Sequence, residues 1–321
     1  MKIGVLGAGA LAIALVKVLE DKSHEITMWT KFEEEKVDIE HSRENLKLFP
    51  GVKIADEVKI TNDIAEAVIG ADVIINVLPF IAIRDTIELL KPIYKEEQII
   101  LSTTKGIDET TFITTTELFG SLLGAKKIAA LSGPSFAIEI ANKDNISFML
   151  GSKDEETTAV IKELFAVDFI DIDVTEDIVG IQIAGGIKNA IAVGAGMLNG
   201  IKAADSTIAA YIAKGMADMA KIIVLLGGKK ETAYTYAGIG DLLLTCMSST
   251  SRNYTFGSYI GQGFSVEQAF VKMGKKTVEG YKTIRALHKY LEKNNSIKVY
   301  TIETLYNIIF ENGDRTKIKK I

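Results

Sequence analysis

The chain has 321 residues, of which 47% are apolar and 25% are charged, and its formal net charge is −5. This composition is typical of a globular protein, and the length exceeds what one hydrophobic core usually serves, so two domains are expected. The acidic balance argues against nucleic acid as a partner, and any anionic ligand must therefore meet a local basic cluster. Cys246 is the only cysteine, which excludes an intramolecular disulfide and fits a reducing cytoplasm.

The sequence predicts neither an export signal nor a membrane span. The apolar start at residues 3–6 leads directly into glycines and a helical pattern instead of a cleavage site. The most apolar later stretches, residues 191–201 and 222–226, are shorter than the ~18 to 20 residues that a span requires. A cytoplasmic protein that does not cross a bilayer is therefore expected.

Short β-branched segments alternate with amphipathic segments through the first half of the chain. Strands are predicted over residues 2–6, 25–30, 73–77, 98–102, 128–131 and 147–150. Helices are predicted between them over residues 11–20, 81–90 and 111–122. This alternation is typical of a Rossmann-like, doubly wound and mostly parallel sheet, so the fold class expected is α/β.

From about residue 176 the pattern changes to long helical periods. They cover residues 178–198, 207–226, 265–273, 278–291 and 302–310. We therefore predict a dinucleotide-binding domain over residues 1–178 and an all-helical, substrate-binding domain over residues 179–321.

The turn after the first predicted strand carries a Gly-x-Gly-x-x-Ala pattern at Gly7, Gly9 and Ala12. In dinucleotide-binding folds the first glycine makes the tight turn, and the second lets the backbone approach the pyrophosphate. A small third residue lets helix and strand pack while the helix N-terminus faces the phosphates. A structural turn is the alternative, but the order strand, turn, helix, strand favours a cofactor site.

The end of the second predicted strand bears on the choice of cofactor. NAD-preferring proteins usually place an acid there for the ribose hydroxyls, whereas this chain has Trp29, Thr30 and Lys31. Lys31 without a carboxylate favours NADP over NAD. The alternative is that Lys31 lies in a solvated turn and that one of the acids at 33–35 binds the ribose.

Two lysines are candidates for the chemistry of a carbonyl reduction. Lys105 follows a predicted strand, at the sheet edge where parallel folds bind ligands, although an exposed loop lysine would look the same. Lys188 lies in an apolar helical segment rich in small residues, where a buried charge needs a partner or a task. Near other cations its pKa would fall toward neutrality, which suits a proton donor. The alternative for Lys188 is a side chain that reaches solvent from a core helix.

Three further polar segments have a functional and a structural interpretation. Residues 133–135, Gly-Pro-Ser, follow a strand and open a helix, which offers backbone N–H groups to an anion. Asp241 lies in a glycine-rich turn and is either a functional carboxylate or a helix N-cap. Residues 249–253 form a predicted polar loop in which Arg252 suits bidentate phosphate binding, or is simply solvated.

In order and over nearly the whole chain, these segments resemble the bacterial glycerol-3-phosphate dehydrogenase family. The matching motifs are GAGALA at 7–12, NVLP at 76–79, TKGI at 104–107, SGPSFAIEIA at 132–141, GGIKNAIAVGAGM at 185–197, GIGDLLLTC at 238–246, SRN at 251–253 and VEGY at 278–281. The resemblance implies interconversion of dihydroxyacetone phosphate and sn-glycerol 3-phosphate with NAD(P)H, which supplies glycerol 3-phosphate for phospholipid synthesis. It also implies a homodimer formed through the helical domain.

The resemblance also assigns residues to roles. Lys188 would donate the proton to the ketone, with Asp241 and Lys105 completing the catalytic set. The other implied substrate-binding residues are Gly133, Ser135, Asn189, Thr245, Ser251, Arg252 and Asn253. The implied cofactor-binding residues are Gly7, Gly9, Ala10, Leu11, Ala12, Lys31, Lys105, Ala137, Arg252, Thr277 and Glu279. No metal is implied.

One departure and two rival functions remain open at this point. Where this chain has Ala10, Leu11 and Ala12, the family commonly has a polar residue, an aromatic residue and glycine, so reduced cofactor affinity is expected. The first rival is a related two-domain reductase of another small acid, because the fold alone does not select a substrate. The second is a dinucleotide-binding regulator without turnover.

Overall fold

The structure is a computed structural model that describes residues 1–108, 111–274, 277–294 and 297–320. The chain divides into two compact units. The first comprises Met1–Thr104 and Thr114–Val179, and the second comprises Lys105–Ile113 and Gly180–Ile321. The short segment Lys105–Ile113 therefore groups with the helices, although it lies in the strand-rich half of the sequence.

The first unit is built on an eight-stranded sheet. Its strands are β1 Lys2–Leu6, β2 Glu25–Trp29, β3 Lys59–Thr61, β4 Val73–Asn76, β5 Ile99–Ser102, β6 Ile128–Ser132, β7 Ile146–Ser152 and β8 Ile170–Thr175. Their order is β3-β2-β1-β4-β5-β6-β7-β8. Neighbours are parallel except for β6 and β7, which run antiparallel. The predicted α/β class with a mostly parallel sheet is confirmed.

Helices connect these strands. They are α1 Ala10–Glu20, α2 Glu33–Ser42, α3 Ile64–Val68, α4 Ile83–Leu90, α5 Thr115–Leu118, α6 Ala137–Ala141 and α7 Glu155–Leu164. Strands β1, β4 and β5 are almost wholly buried, and α1 buries seven consecutive or near-consecutive apolar residues between Ala12 and Leu19. Close packing in this apolar layer holds the turn between β1 and α1 in one position.

The second unit is helical among the residues that the structure describes. Its helices are α8 Ile178–Gly200, which begins two residues before the unit does, α9 Asp205–Leu225, α10 Asp241–Met247, α11 Arg252–Gln262, α12 Val266–Lys272, α13 Glu279–Asn294 and α14 Tyr300–Phe310. Helix α8 is long and apolar enough to cross a bilayer by length and composition, and 94% of its most apolar window is buried inside the protein.

Glycines let α8 and α11 approach closely. A Cβ on Gly257 of α11 would lie 1.9 Å from the carbonyl oxygen of Val193, and one on Gly196 of α8 would lie 2.0 Å from that of Tyr254. Neither backbone oxygen can move away cheaply, so glycine at both positions sets the spacing of the two helices.

Two local predictions were wrong. The predicted helix over residues 111–122 starts only at Thr115, because Thr114 and Glu117 form a capping box that fixes its first turn, and it continues as one π-helical turn over Phe119–Leu123. The predicted polar loop over 249–253 ends at Ser251, whose hydroxyl accepts from the backbone N–H of Tyr254 at 3.3 Å and caps α11. Arg252 and Asn253 are therefore the first residues of a helix.

Candidate active site

The turn between β1 and α1 has the geometry that a dinucleotide site requires. Gly7 has φ of +119°, which L side chains rarely adopt, and its N–H donates to the carbonyl of Trp29 at 2.9 Å. Gly9 is the N-cap of α1, and a Cβ placed on it would meet none of the described atoms within 4 Å. Ala12 is fully buried against the sheet. The turn thus combines an open backbone approach with a helix N-terminus, which fits a pyrophosphate.

One of the three acids that follow β2 is already hydrogen-bonded within the first unit. Lys31 is exposed, as a side chain available to a 2′-phosphate would be. Glu35, one of the three acids considered for the ribose, accepts hydrogen bonds from the Thr30 hydroxyl and from the Asn45 side-chain amide. Its carboxylate is therefore already engaged by its own unit.

The segment after β6 behaves as a tight turn into a helix. A Cβ on Gly133 would lie 2.4 Å from the carbonyl oxygen of Ser147, so only glycine fits beside β7. Ser135 is half-buried, and α6 begins two residues later at Ala137. The predicted helix start is confirmed, although α6 has only 5 residues.

In the helical unit, one buried carboxylate joins two lysines. Asp241 is 1% exposed, and its Oδ1 accepts from the ammonium group of Lys188 on α8. Its Oδ2 accepts from Lys105 Nζ at 2.5 Å. Lys188 Nζ also donates to the hydroxyl of Thr245 at 2.8 Å, and that hydroxyl donates to the carbonyl of Asp241 at 2.7 Å.

Burial and charge set the protonation of this cluster. Burial lowers the pKa of Lys188 to about 8, opposed by the carboxylate of Asp241 and assisted by the positive charge of Lys105. Burial alone would raise the pKa of Asp241, but the two ammonium groups outweigh it and hold that pKa below its usual value. Asp241 is therefore a carboxylate at neutral pH, and Lys188 is a lysine that can release a proton near pH 8.

These contacts exclude some of the structural alternatives that the sequence left open. Lys188 is 8% exposed and ion-paired, so it does not extend to solvent. The N-cap of α10 is Gly240, and the Asp241 side chain turns to the lysines instead of capping the helix. Lys105 belongs to the helical unit. Its aliphatic stem packs against Gly185, and the N–H of the next residue, Gly106, donates to the carbonyl of Gln182 at 3.1 Å.

A second polar network lies one residue from Lys188. Asn189 Nδ2 donates to Glu279 Oε2 at 2.8 Å, and Asn253 Nδ2 donates to Asn189 Oδ1 at 2.9 Å. Asn253 Oδ1 accepts from the N–H of Gly280 at 2.8 Å, in the first turn of α13. This network ties α8, α11 and the start of α13 together.

The structure thus groups the site residues named from the sequence within each unit. The first unit carries Gly7, Gly9, Ala10, Leu11, Ala12, Lys31, Gly133, Ser135 and Ala137. The second carries Lys105, Lys188, Asn189, Asp241, Thr245, Ser251, Arg252, Asn253, Thr277 and Glu279. Thr277 and Arg252 are exposed, whereas Ser251 and Asn253 are buried at the start of α11. Sequence reasoning missed Asn45, since an isolated asparagine carries no signal, and it included Gly185 only as part of the motif at 185–197.

A doubly wound sheet with a glycine turn at a helix N-terminus, followed by a helical unit with a buried lysine–aspartate pair, defines a nicotinamide-dependent dehydrogenase. Two family models match the sequence. Residues 2–158 match the model of the NAD-dependent glycerol-3-phosphate dehydrogenase N-terminus, and residues 177–320 match the model of the C-terminus of the same family. The chain belongs to the glycerol-3-phosphate dehydrogenase family, and the resemblance stated from its motifs is confirmed.

Individual relatives and structures support this assignment. A glycerol-3-phosphate dehydrogenase [NAD(P)+] of Chlorobium phaeobacteroides is 35% identical over 315 residues, covering 97% of this chain and 94% of the relative. One of Agathobacter rectalis is 32% identical over 310 residues, covering 97% and 92%. The crystal structure of glycerol-3-phosphate dehydrogenase from Coxiella burnetii superposes with a TM-score of 0.92 at 26% identity and covers 99% of this chain and 97% of that one.

Proposed function

We propose that this chain interconverts dihydroxyacetone phosphate and sn-glycerol 3-phosphate and so supplies glycerol 3-phosphate for phospholipid synthesis. The observation that carries the proposal is Lys188, buried in α8 and paired with Asp241, with a pKa of about 8. A ketone reduction requires a proton donor of this acidity in a site sheltered from water.

The residues of the helical unit would divide the work as follows. Lys188 donates a proton to the ketone oxygen in reduction and accepts one in oxidation. Asp241 holds the ammonium group in place and, with Thr245, fixes its direction. Lys105 adds positive charge at the same carboxylate. It would also contact both cofactor and substrate. A bound nicotinamide supplies or accepts the hydride.

The phosphate of the substrate would bind at the start of α11. The N-terminus of an 11-residue helix presents backbone N–H groups to an anion, and Arg252 adds a guanidinium there. Ser251 and Asn253 complete this site, and Asn189 contacts the substrate beside Lys188. Gly133 and Ser135 complete the substrate pocket.

The dinucleotide would bind along the glycine turn through Gly7, Gly9, Ala10, Leu11 and Ala12, with Lys31, Lys105, Ala137, Arg252, Thr277 and Glu279 as further contacts. We assign residues 1–178 to the dinucleotide-binding domain and 179–321 to the helical substrate-binding domain. We further propose a cytoplasmic homodimer without a nucleic acid partner and without a membrane span.

We also propose a preference for NADP(H), because Lys31 is exposed at the end of β2 and Glu35 is engaged elsewhere. Replacing Lys31 with alanine should raise the KM for NADPH about tenfold, since a charge-assisted hydrogen bond is lost, and change the KM for NADH little. A wild-type protein with tenfold or more higher kcat/KM for NADH than for NADPH would contradict the preference.

A substrate panel tests the reaction itself. Oxidation of NADPH and NADH is followed at about 340 nm, where the reduced nicotinamide absorbs, with dihydroxyacetone phosphate or 2-ketopantoate, and NADP+ reduction is followed with 6-phosphogluconate. Turnover with dihydroxyacetone phosphate alone is expected. Turnover with either other acid and none with dihydroxyacetone phosphate would establish the rival reductase, and dinucleotide binding without any turnover would establish the regulator.

A further inference from the structure

A buried asparagine outside the motifs contacts the dinucleotide turn. Asn45 is 3% exposed, and its Nδ2 donates to the carbonyl oxygen of Ala8 at 2.8 Å and to Glu35 Oε1 at 3.0 Å. Its Oδ1 accepts from the backbone N–H of Leu48 at 3.0 Å. Both ends of the side-chain amide are therefore held within the first unit.

The contact with Ala8 bears directly on the turn. The carbonyl of Ala8 and the N–H of Gly9 belong to one planar trans peptide unit and point in opposite directions. A hydrogen bond that fixes the Ala8 carbonyl therefore also fixes the direction of the Gly9 N–H. Gly9 is the N-cap of α1, where backbone N–H groups bind the pyrophosphate in folds of this kind.

Glu35, together with the carbonyl of Ala8 and the N–H of Leu48, fixes which way the Asn45 amide faces. A carboxylate can only accept hydrogen bonds, so Nδ2 and not Oδ1 must point toward Glu35 and, from the same position, toward Ala8. The second carboxylate oxygen of Glu35 accepts from the hydroxyl of Thr30, directly after β2. The chain Thr30–Glu35–Asn45 thus links the end of β2 to the turn after β1.

We infer that Asn45 is a positioning residue for dinucleotide binding: it aims the Gly9 N–H at the pyrophosphate, and Glu35 holds Asn45 in the donating orientation. This inference rests on the dinucleotide binding of the proposed function. It places Glu35 in the support of the turn and not among the ligands of the ribose. Because the pyrophosphate is common to both dinucleotides, Asn45 serves NADH and NADPH equally.

Three variants separate positioning from simple stability. In Asn45→Asp the donor to Ala8 is lost, and two carboxylates face each other. In the double variant Asn45→Asp with Glu35→Gln, the glutamine amide donates to Asp, so the link between the two positions is restored while the Ala8 carbonyl still lacks its donor. Glu35→Gln alone keeps every hydrogen bond by presenting its carbonyl to Asn45 and its amide to Thr30.

The measurements are dissociation constants for NADH and NADPH, by fluorescence titration of the full chain, and the thermal unfolding midpoint. We expect the double variant to bind both dinucleotides about tenfold more weakly, the loss typical of one hydrogen bond, and to unfold at most a few degrees below the wild type, because the buried Ala8 carbonyl loses its donor. Glu35→Gln should stay within about twofold of the wild type for both.

Wild-type dissociation constants in the double variant would overturn the inference. So would a loss in Glu35→Gln confined to NADH, because Glu35 would then bind the ribose directly. A wild-type protein that binds neither dinucleotide would overturn the proposed function first, and this inference with it. The double variant retains the test if Asn45→Asp does not fold.

Discussion

At the scale of single residues, the properties of Lys188 follow from where α8 places it. Lys188 lies in an apolar, buried segment of α8, and one carboxylate compensates the charge of its ammonium group. The second lysine, Lys105, pairs with the same carboxylate, so one negative charge compensates two positive charges. This competition, added to burial, is why the pKa of Lys188 falls to about 8 while Asp241 stays ionised.

This pKa predicts opposite pH dependences for the two directions of the reaction. Reduction needs protonated Lys188, so kcat/KM for dihydroxyacetone phosphate should fall as pH rises through about 8. Oxidation of glycerol 3-phosphate needs neutral Lys188, so its kcat/KM should rise through the same range. Steady-state rates recorded over roughly pH 6 to 10 give both profiles.

The matched control is Lys188→Arg, because arginine keeps its charge throughout this range. Its residual activity should show no inflection near pH 8. An inflection that persists in Lys188→Arg would assign the titration to another group.

Single residues could be singled out from the sequence where one residue departed from the apolar pattern of its segment. A lysine within an apolar, glycine-rich helix signals a buried charge without any alignment. The pairing of that charge gave no such signal, since Lys188 and Asp241 are separated by 53 positions and meet only in the folded chain. Glu35 was ambiguous for the same reason: whether a carboxylate faces a ligand or its own chain depends on tertiary contacts.

At the scale of elements, the long and strongly patterned segments were predicted well. Strands β1, β4, β5 and β6 are short apolar runs at the centre of the sheet, and α8 and α9 are long helices. The missed elements lack such patterns. Strand β3 has 3 residues, β8 alternates acids with apolar residues, and α2 buries only Ile39 among its 10 residues.

The contact between α8 and α11 also belongs to this scale. Gly257→Ala should lower the free energy of unfolding by ~1 to 3 kcal/mol, because its methyl group overlaps the backbone oxygen of Val193. Denaturant unfolding measures the loss. Gly120→Ala is the control, since a Cβ there meets only ordinary contacts at 3.8 Å and beyond. Equal unfolding midpoints for the two variants would show that the helices separate without cost.

At the scale of the whole molecule, the two compact units carry different groups of the residues proposed for the site. The glycine turn and the Asn45 contacts lie in the first unit, and the lysine–aspartate cluster and the start of α11 lie in the second. From the change of periodicity near residue 176 the sequence predicts a boundary between residues 178 and 179. It did not predict that Lys105–Ile113 groups with the helical unit, because the sequence of a loop after a strand does not show which elements the loop packs against.

Because Lys188 is proposed for proton transfer and not for dinucleotide binding, its loss should separate turnover from cofactor affinity, and this is the central claim to test. The most direct measurement compares the wild-type protein with Lys188→Ala, in turnover of dihydroxyacetone phosphate and in dissociation constants for NADPH and NADH. We expect kcat to fall by at least about 100-fold, the lower range for loss of a general acid, while both dissociation constants stay within about twofold. A variant that keeps wild-type turnover would contradict the role of Lys188, and one that loses dinucleotide affinity to the same extent as turnover would contradict the separation.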